Sequence, residues 1–98
     1  MSQEDTCYVI MLNRIPGCET SKETIARHIE HIRRLDDQGI LVMAGPFEDY
    51  PGGMVIVRAD SLESARRIAE SDPFISEGVR SFELRTWLLS TRENGYLR

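Results

Sequence analysis

The chain has 98 residues, 41% of them hydrophobic and 29% charged, and carries a formal net charge of −4. That is the size of one domain able to bury its own core, so it needs neither a disulfide framework nor a metal staple. The acidic balance argues against nucleic acid and against an anionic membrane surface. No apolar run approaches the roughly 18 residues of a membrane span, and the polar start Met1-Ser2-Gln3-Glu4-Asp5 is not a signal peptide.

In chain order, Thr6 to Leu12 is β-rich and apolar on both faces and reads as the first strand. Pro16-Gly17 marks a turn. Thr20-Ser21-Lys22-Glu23 has the spacing of a capping box, with Thr20 as cap and Glu23 at N3, and the helix it opens runs to about Gln38 before Gly39 stops it. Ile40 to Ala44 is the second strand. The loop from Gly45 to Gly52 holds two prolines and, between them, Phe47 and Tyr50. Gly53 to Ala59 is the third strand. Asp60-Ser61-Leu62-Glu63 repeats the capping-box spacing, with Asp60 as cap, and the second helix reaches about Glu70 with Leu62, Ala65, Ile68 and Ala69 on its apolar face. Asp72-Pro73 opens one more helical turn, with Asp as cap and Pro at N1, and Gly78 closes it. Val79 to Leu89 alternates around Phe82, Leu84 and Leu88 and is the fourth strand. The polar stretch from Ser90 to Arg98 is expected to be a mobile tail on a single domain whose folded core is 6–89.

The order βαββαβ, with a short extra helix before the last strand, is an α+β ferredoxin-like pattern: an antiparallel sheet with two helices on one face. Such a sheet should alternate apolar and polar residues, one face dry and one wet. The first three strands do not alternate. Strand one sets Tyr8, Ile10 and Leu12 against Cys7, Val9 and Met11. Strand two sets Ile40, Val42 and Ala44 against Leu41 and Met43, and strand three sets Met54 and Ile56 against Val55 and Val57. The second apolar face needs a cover that the chain cannot supply, so a second copy is expected, with two sheets packed face to face in a homodimer.

The one chemical oddity is His28. At ~100° per residue, Ile25, Ile29, Ile32 and Leu35 form an apolar stripe, and His28 projects from within it, with His31 at its border and Arg27 toward water. A lone histidine there is more often a satisfied core residue. The functional alternative is a general acid/base, which needs a carboxylate to fix its tautomer. Asp72 is the natural partner even though Asp before Pro is also a good helix cap, because a cap leaves the second oxygen free. Asp36 and Asp37 lie two turns down the same helix, too far along its axis. His28 and His31 lack the His-Glu-x-x-His spacing and a nearby third ligand, so no metal is expected. Strand three lacks the aromatics of an RNA-binding sheet. Cys18 has no local support as a nucleophile, and Arg33, Arg34, Arg66 and Arg67 read as solvated helix faces. The two cysteines make no framework, which fits a reducing cytoplasm.

The run from His28 to Pro46, which ends in Ile-Leu-Val-Met-Ala-Gly-Pro, resembles the YciI-like, or YCII-related, family. So do Gly53, Ser61-Leu62-Glu63-Ser64-Ala65, Asp72-Pro73-Phe74 and Gly78-Val79, and the match extends to about Trp87. The resemblance implies a dimeric α/β barrel of ferredoxin-like subunits and a His-Asp active site, which falls on His28 and Asp72. It also implies chemistry on small, often aromatic or halogenated molecules, dehydrohalogenation among them. Two positions depart from the family pattern: Ile25 stands where many members have arginine, and Thr86 stands where many have proline. Arg27 does not replace that arginine, since it points the other way on the helix.

The expected function is therefore general acid/base elimination or isomerisation on a small molecule, without a cofactor, with His28 as acid/base and Asp72 as orienting carboxylate. Phe47, Tyr50 and Phe74 are the expected substrate contacts. The rival is a homodimeric barrel that binds a small ligand without turnover, and a third possibility is a structural dimer in which His28 is a packed core residue.

Overall fold

The computed structural model describes residues 5–97. Met1 to Glu4, part of the polar start, and Arg98 at the end of the expected tail lie outside the described residues. The elements run β1 (Thr6–Arg14), α1 (Lys22–Asp37), β2 (Leu41–Pro46), β3 (Gly52–Val57), α2 (Leu62–Glu70), α3 (Pro73–Ser76) and β4 (Arg80–Leu88). They form one antiparallel four-stranded sheet in the order β2-β3-β1-β4, the ferredoxin-like α+β arrangement. The extra turn before the last strand is α3.

Residues directly opposite in an antiparallel pair share a face. Tyr8 faces Val57 and Thr86, and Ile10 faces Val55 and Leu84, so these line the helix-covered side. Leu12, Leu35, Ala65 and Ala69 complete the core there, with Phe82 and Leu84 packed on its rim. The opposite face carries Cys7, Val9, Met11, Met54 and Ile56, and β2 adds Met43 opposite Ile56. On β4 the same face turns polar, with Glu83 accepting from Asn13 and Arg85 before Trp87 is reached.

Three local expectations are corrected. Both helix caps sit one residue later than the capping-box spacing suggests. Ser21 Oγ accepts from Thr24 N, and Ser61 Oγ accepts from Ser64 N, because these are the extended residues whose side chains reach back to N3. Strand β2 does not alternate as a regular strand would. A bulge between Leu41 and Met43 puts Leu41 and Ala44 on one face, opposite Val57 and Val55. Only the later half of the stripe Ile25-Ile29-Ile32-Leu35 is buried, with Leu35 in the core and Ile32 packed against it. The buried positions are Thr24, His31 and Leu35, while Ile25 and Ile29 stay 40% and 49% exposed. After β4, Asn94 bonds the Thr91 N–H and the Leu89 carbonyl, and Tyr96 N donates to Thr91 O.

Candidate active site

Helix α1 stands off the sheet near its N-terminal half, and the gap is a cleft of about 640 Å³. One wall is Ile25, His28, Ile29 and Ile32 of α1. The other is the β2–β3 loop with Phe47, Tyr50 and Pro51, while Leu12 and Val55 belong to the core beneath. Phe47 N donates to Gly52 O to close the loop, and the Phe47 and Tyr50 rings meet edge to face at 6.4 Å. Gly53 lies against β2 so closely that an added Cβ would sit 2.6 Å from the Gly45 carbonyl oxygen, so the strands meet there without any side chain between them.

At the closed corner, His28 Nδ1 lies 2.9 Å from Asp72 Oδ1 and 3.0 Å from Oδ2. Asp72 is 2% exposed and cannot retreat into water, and its Oδ1 also accepts from Phe74 N at 2.9 Å, which makes it the N-cap of α3. Cap and histidine partner are one carboxylate. In a neutral ring, a carboxylate that only accepts is matched by a proton on Nδ1, and the lone pair then falls on Nε2. Nε2 has no hydrogen-bond partner among the described residues, and no buried side-chain nitrogen or oxygen there is unpaired, so Nε2 is not sealed in the interior, and His28 lines the cleft. The Phe74 ring stacks on the imidazole at 3.8 Å with planes 5° apart, which fixes the ring's tilt.

A second set of contacts, without any local sequence signal, clamps this corner. Thr24 Oγ1 donates to Glu77 Oε1 at 2.8 Å, and Arg27 grips both oxygens of Glu77 from Nε and Nη2 at 2.8 and 2.9 Å. The Arg27 guanidinium, followed by the Thr24 hydroxyl, holds Glu77 below the usual carboxylate range. Arg27 is therefore exposed but paired, and it ties α1 to the end of α3. His31, one turn along, is the buried histidine of the helix, at 6% exposure. Burial pushes its imidazole below 6.5, against the pull of the Asp72 charge.

The structure thus brings His28, Asp72 and Phe74 into direct contact and sets Phe47 and Tyr50 on the facing wall of the same cleft. Residues missed by sequence reasoning are Thr24, Arg27 and Glu77, whose partners are 50 or more positions apart. Arg14 and Arg80 at the cleft's end were also missed. Among the described residues, no three His, Cys, Asp or Glu side chains converge as metal ligands would, and no helix is long and apolar enough to cross a membrane.

The model of the YCII-related domain matches residues 6–88. The chain belongs to the YCII-related domain family. Among its relatives, the uncharacterized protein YjpA of Bacillus subtilis is 38% identical over 69 residues, covering 70% of this chain and 81% of that one. Protein YciI of Escherichia coli O6:H1 is 32% identical, covering 53% of this chain and 63% of its own length. Among solved structures, 5-chloro-2-hydroxyhydroquinone dehydrochlorinase from Burkholderia phenoliruptrix, in complex with 2,5-dihydroxybenzoquinone, superposes with a TM-score of 0.62. It is 21% identical, with 83% of this chain and 92% of that one covered. At that identity the likeness speaks for the shared YCII-type fold.

Proposed function

We propose that this YCII-related protein catalyses proton transfer on a small organic molecule bound in the cleft, in an elimination or isomerisation that needs no cofactor. One observation carries the proposal: an imidazole held through Nδ1 by a buried carboxylate, with Nε2 free at the wall of an apolar cleft. His28 Nε2 takes a proton from the substrate. In an elimination, the electrons of the broken bond to hydrogen form the new double bond as the leaving group departs. His28 then returns the proton to water or, in an isomerisation, to another substrate atom. Asp72 orients the ring and balances the imidazolium that forms. The dehydrochlorinase that shares the fold supports a halogenated hydroxyaromatic as the first substrate to try.

The apolar half of the open sheet face, Val9, Met11, Met43 and Met54, supports a homodimer, and light scattering should give about twice the 11.2 kDa chain mass. Both cysteines are free thiols, Cys7 buried and Cys18 partly so, which supports a reducing cytoplasm.

The test is chloride release from 5-chloro-2-hydroxyhydroquinone and a panel of small halogenated hydroxyaromatics, with wild type and His28→Asn. Loss of one positioned acid/base should slow release by about 10²- to 10⁴-fold. Equal rates in both proteins would contradict the proposal. Binding without release, unchanged in His28→Asn, would favour a ligand-binding barrel, for which the apolar lining of the cleft also speaks.

A further inference from the structure

The cleft is asymmetric in charge. Its lining contains two charged side chains, Arg14 and Arg80, and no carboxylate, in a chain whose net charge is −4. The two arginines are the last cross-strand pair of β1 and β4, directly opposite and on the helix-covered face, so their Cβ atoms stand about 5 Å apart. Like charges opposed in this way destabilise a sheet unless something of opposite sign lies between them. Neither arginine has an ion pair among the described residues, where the carboxylates that do pair with arginine go to Arg27, Arg33 and Arg85.

Arg80 is also held in place. Its Nη1 donates to Thr20 Oγ1 at 2.8 Å and to the Val79 carbonyl at 2.9 Å, and its guanidinium lies over the Phe74 ring, 5.1 Å from the centroid. Phe74 is the ring stacked on His28. The guanidinium keeps its other N–H groups without a partner among the described residues, while Arg14 at the strand end is exposed and its side chain makes no hydrogen bond there. A planar fork fixed beside an aromatic face, with a second guanidinium opposite, suits a planar oxyanion.

We propose that Arg14 and Arg80 form an anion-recognition subsite at the β1–β4 end of the cleft, and that the occupant is a ring-shaped organic anion. Its carboxylate or phenolate oxygen sits between the two guanidinium groups, and its apolar ring lies along Ile25 and Ile29, within reach of His28. The inference rests on the cleft being a substrate site and names the class of substrate that the site takes.

The probes are benzoate and its neutral counterpart benzamide, followed by calorimetry and by amide chemical shifts in labelled protein. Benzoate should bind wild type with shifts at the β1–β4 end of the cleft, about tenfold more tightly than benzamide, and added salt should weaken it. Arg14→Gln, an exposed strand-end change, should weaken benzoate about tenfold and leave benzamide unmoved. Arg80→Gln should do the same, and if that variant does not fold, Arg14→Gln still decides. Arg66→Gln removes the same charge from the exposed side of α2 and should change neither ligand. Failure of benzoate to bind, equal binding of benzoate and benzamide, or an equal loss in Arg14→Gln and Arg66→Gln would overturn the subsite. The protonation pattern of His28 is measured on the free protein, so the dyad stands or falls separately.

Discussion

The two long helices cover the same face of the sheet and treat it differently. Helix α2 lays Ala65 and Ala69 on it, 0% and 1% exposed, in the same core cluster as Tyr8, Ile10 and Val57. Small side chains let a helix come down onto a sheet until the layers interdigitate at ordinary interior density. Helix α1 meets the sheet through Leu35 near its C-terminal end, while its earlier isoleucines stand over a cleft. A fold with one closed half and one propped-open half can keep its stability in the first and its chemistry in the second. The prop is polar: Thr24, Arg27 and Glu77 clamp the start of α1 to α3, while Asp72 caps that turn and holds His28.

The contrast can be broken most directly by truncating one side chain in each half. Ile10→Ala, in the closed half, should cost about 2–5 kcal/mol. Ile29→Ala, on the cleft wall, should stay within about 0.5 kcal/mol of wild type. Urea unfolding midpoints at constant m-value would show it, and equal losses would mean that the cleft is part of the core.

A change at the junction comes next. Asp72→Ala removes the α3 cap and the His28 partner together and should cost about 2–3 kcal/mol. Asp72→Asn, a cap of similar strength, should recover the cap's share of about 1 kcal/mol. If the two variants unfold alike, the carboxylate serves the histidine alone. Gly53→Ala sharpens the other wall. Its methyl group must push against the Gly45 carbonyl, and the expected loss is about 1–3 kcal/mol, with shifted amide signals in the Phe47–Gly52 loop. Unchanged stability would mean that the hairpin relaxes freely.

The smallest effect is one of pH. His31 is buried with its folded pKa lowered below 6.5, so the unfolded chain binds its proton more readily. Stability therefore falls as pH drops below about 6.5, and the loss is complete once pH passes below the lowered folded value. His31→Gln should flatten that part of the stability profile, measured by urea unfolding from pH 7 to pH 5. An unchanged slope would place the proton uptake elsewhere.

Much of this was legible in the sequence, and the boundary is physical. Element order follows from periodicity, Gly39 and the Asp72-Pro73 signal, and the pairing of His28 with Asp72 follows from a polar residue standing among apolar ones and a carboxylate in a fixed cap. The rotation of α1 was not legible. Ile25 and Ile29 carry the hydrophobicity, yet they face the cleft, while Thr24 and His31 are buried, and the Thr24 partner Glu77 comes from the end of α3. The Glu77 clamp and the Arg14–Arg80 pair join residues 50 or more positions apart, and only the register of the folded sheet and the docking of α3 bring them together. The bulge in β2 likewise depends on its pairing with β3.

In the proposed reaction Asp72 holds the His28 proton on Nδ1 and leaves Nε2 as a base at the cleft. Long-range proton–nitrogen correlation spectra of the free protein, at a pH where the ring is neutral, report that directly. The expected result is a His28 ring protonated on Nδ1 in wild type, with Asp72→Asn mixing or reversing the tautomers. A ring protonated on Nε2 in wild type, with the same pattern in Asp72→Asn, would contradict it.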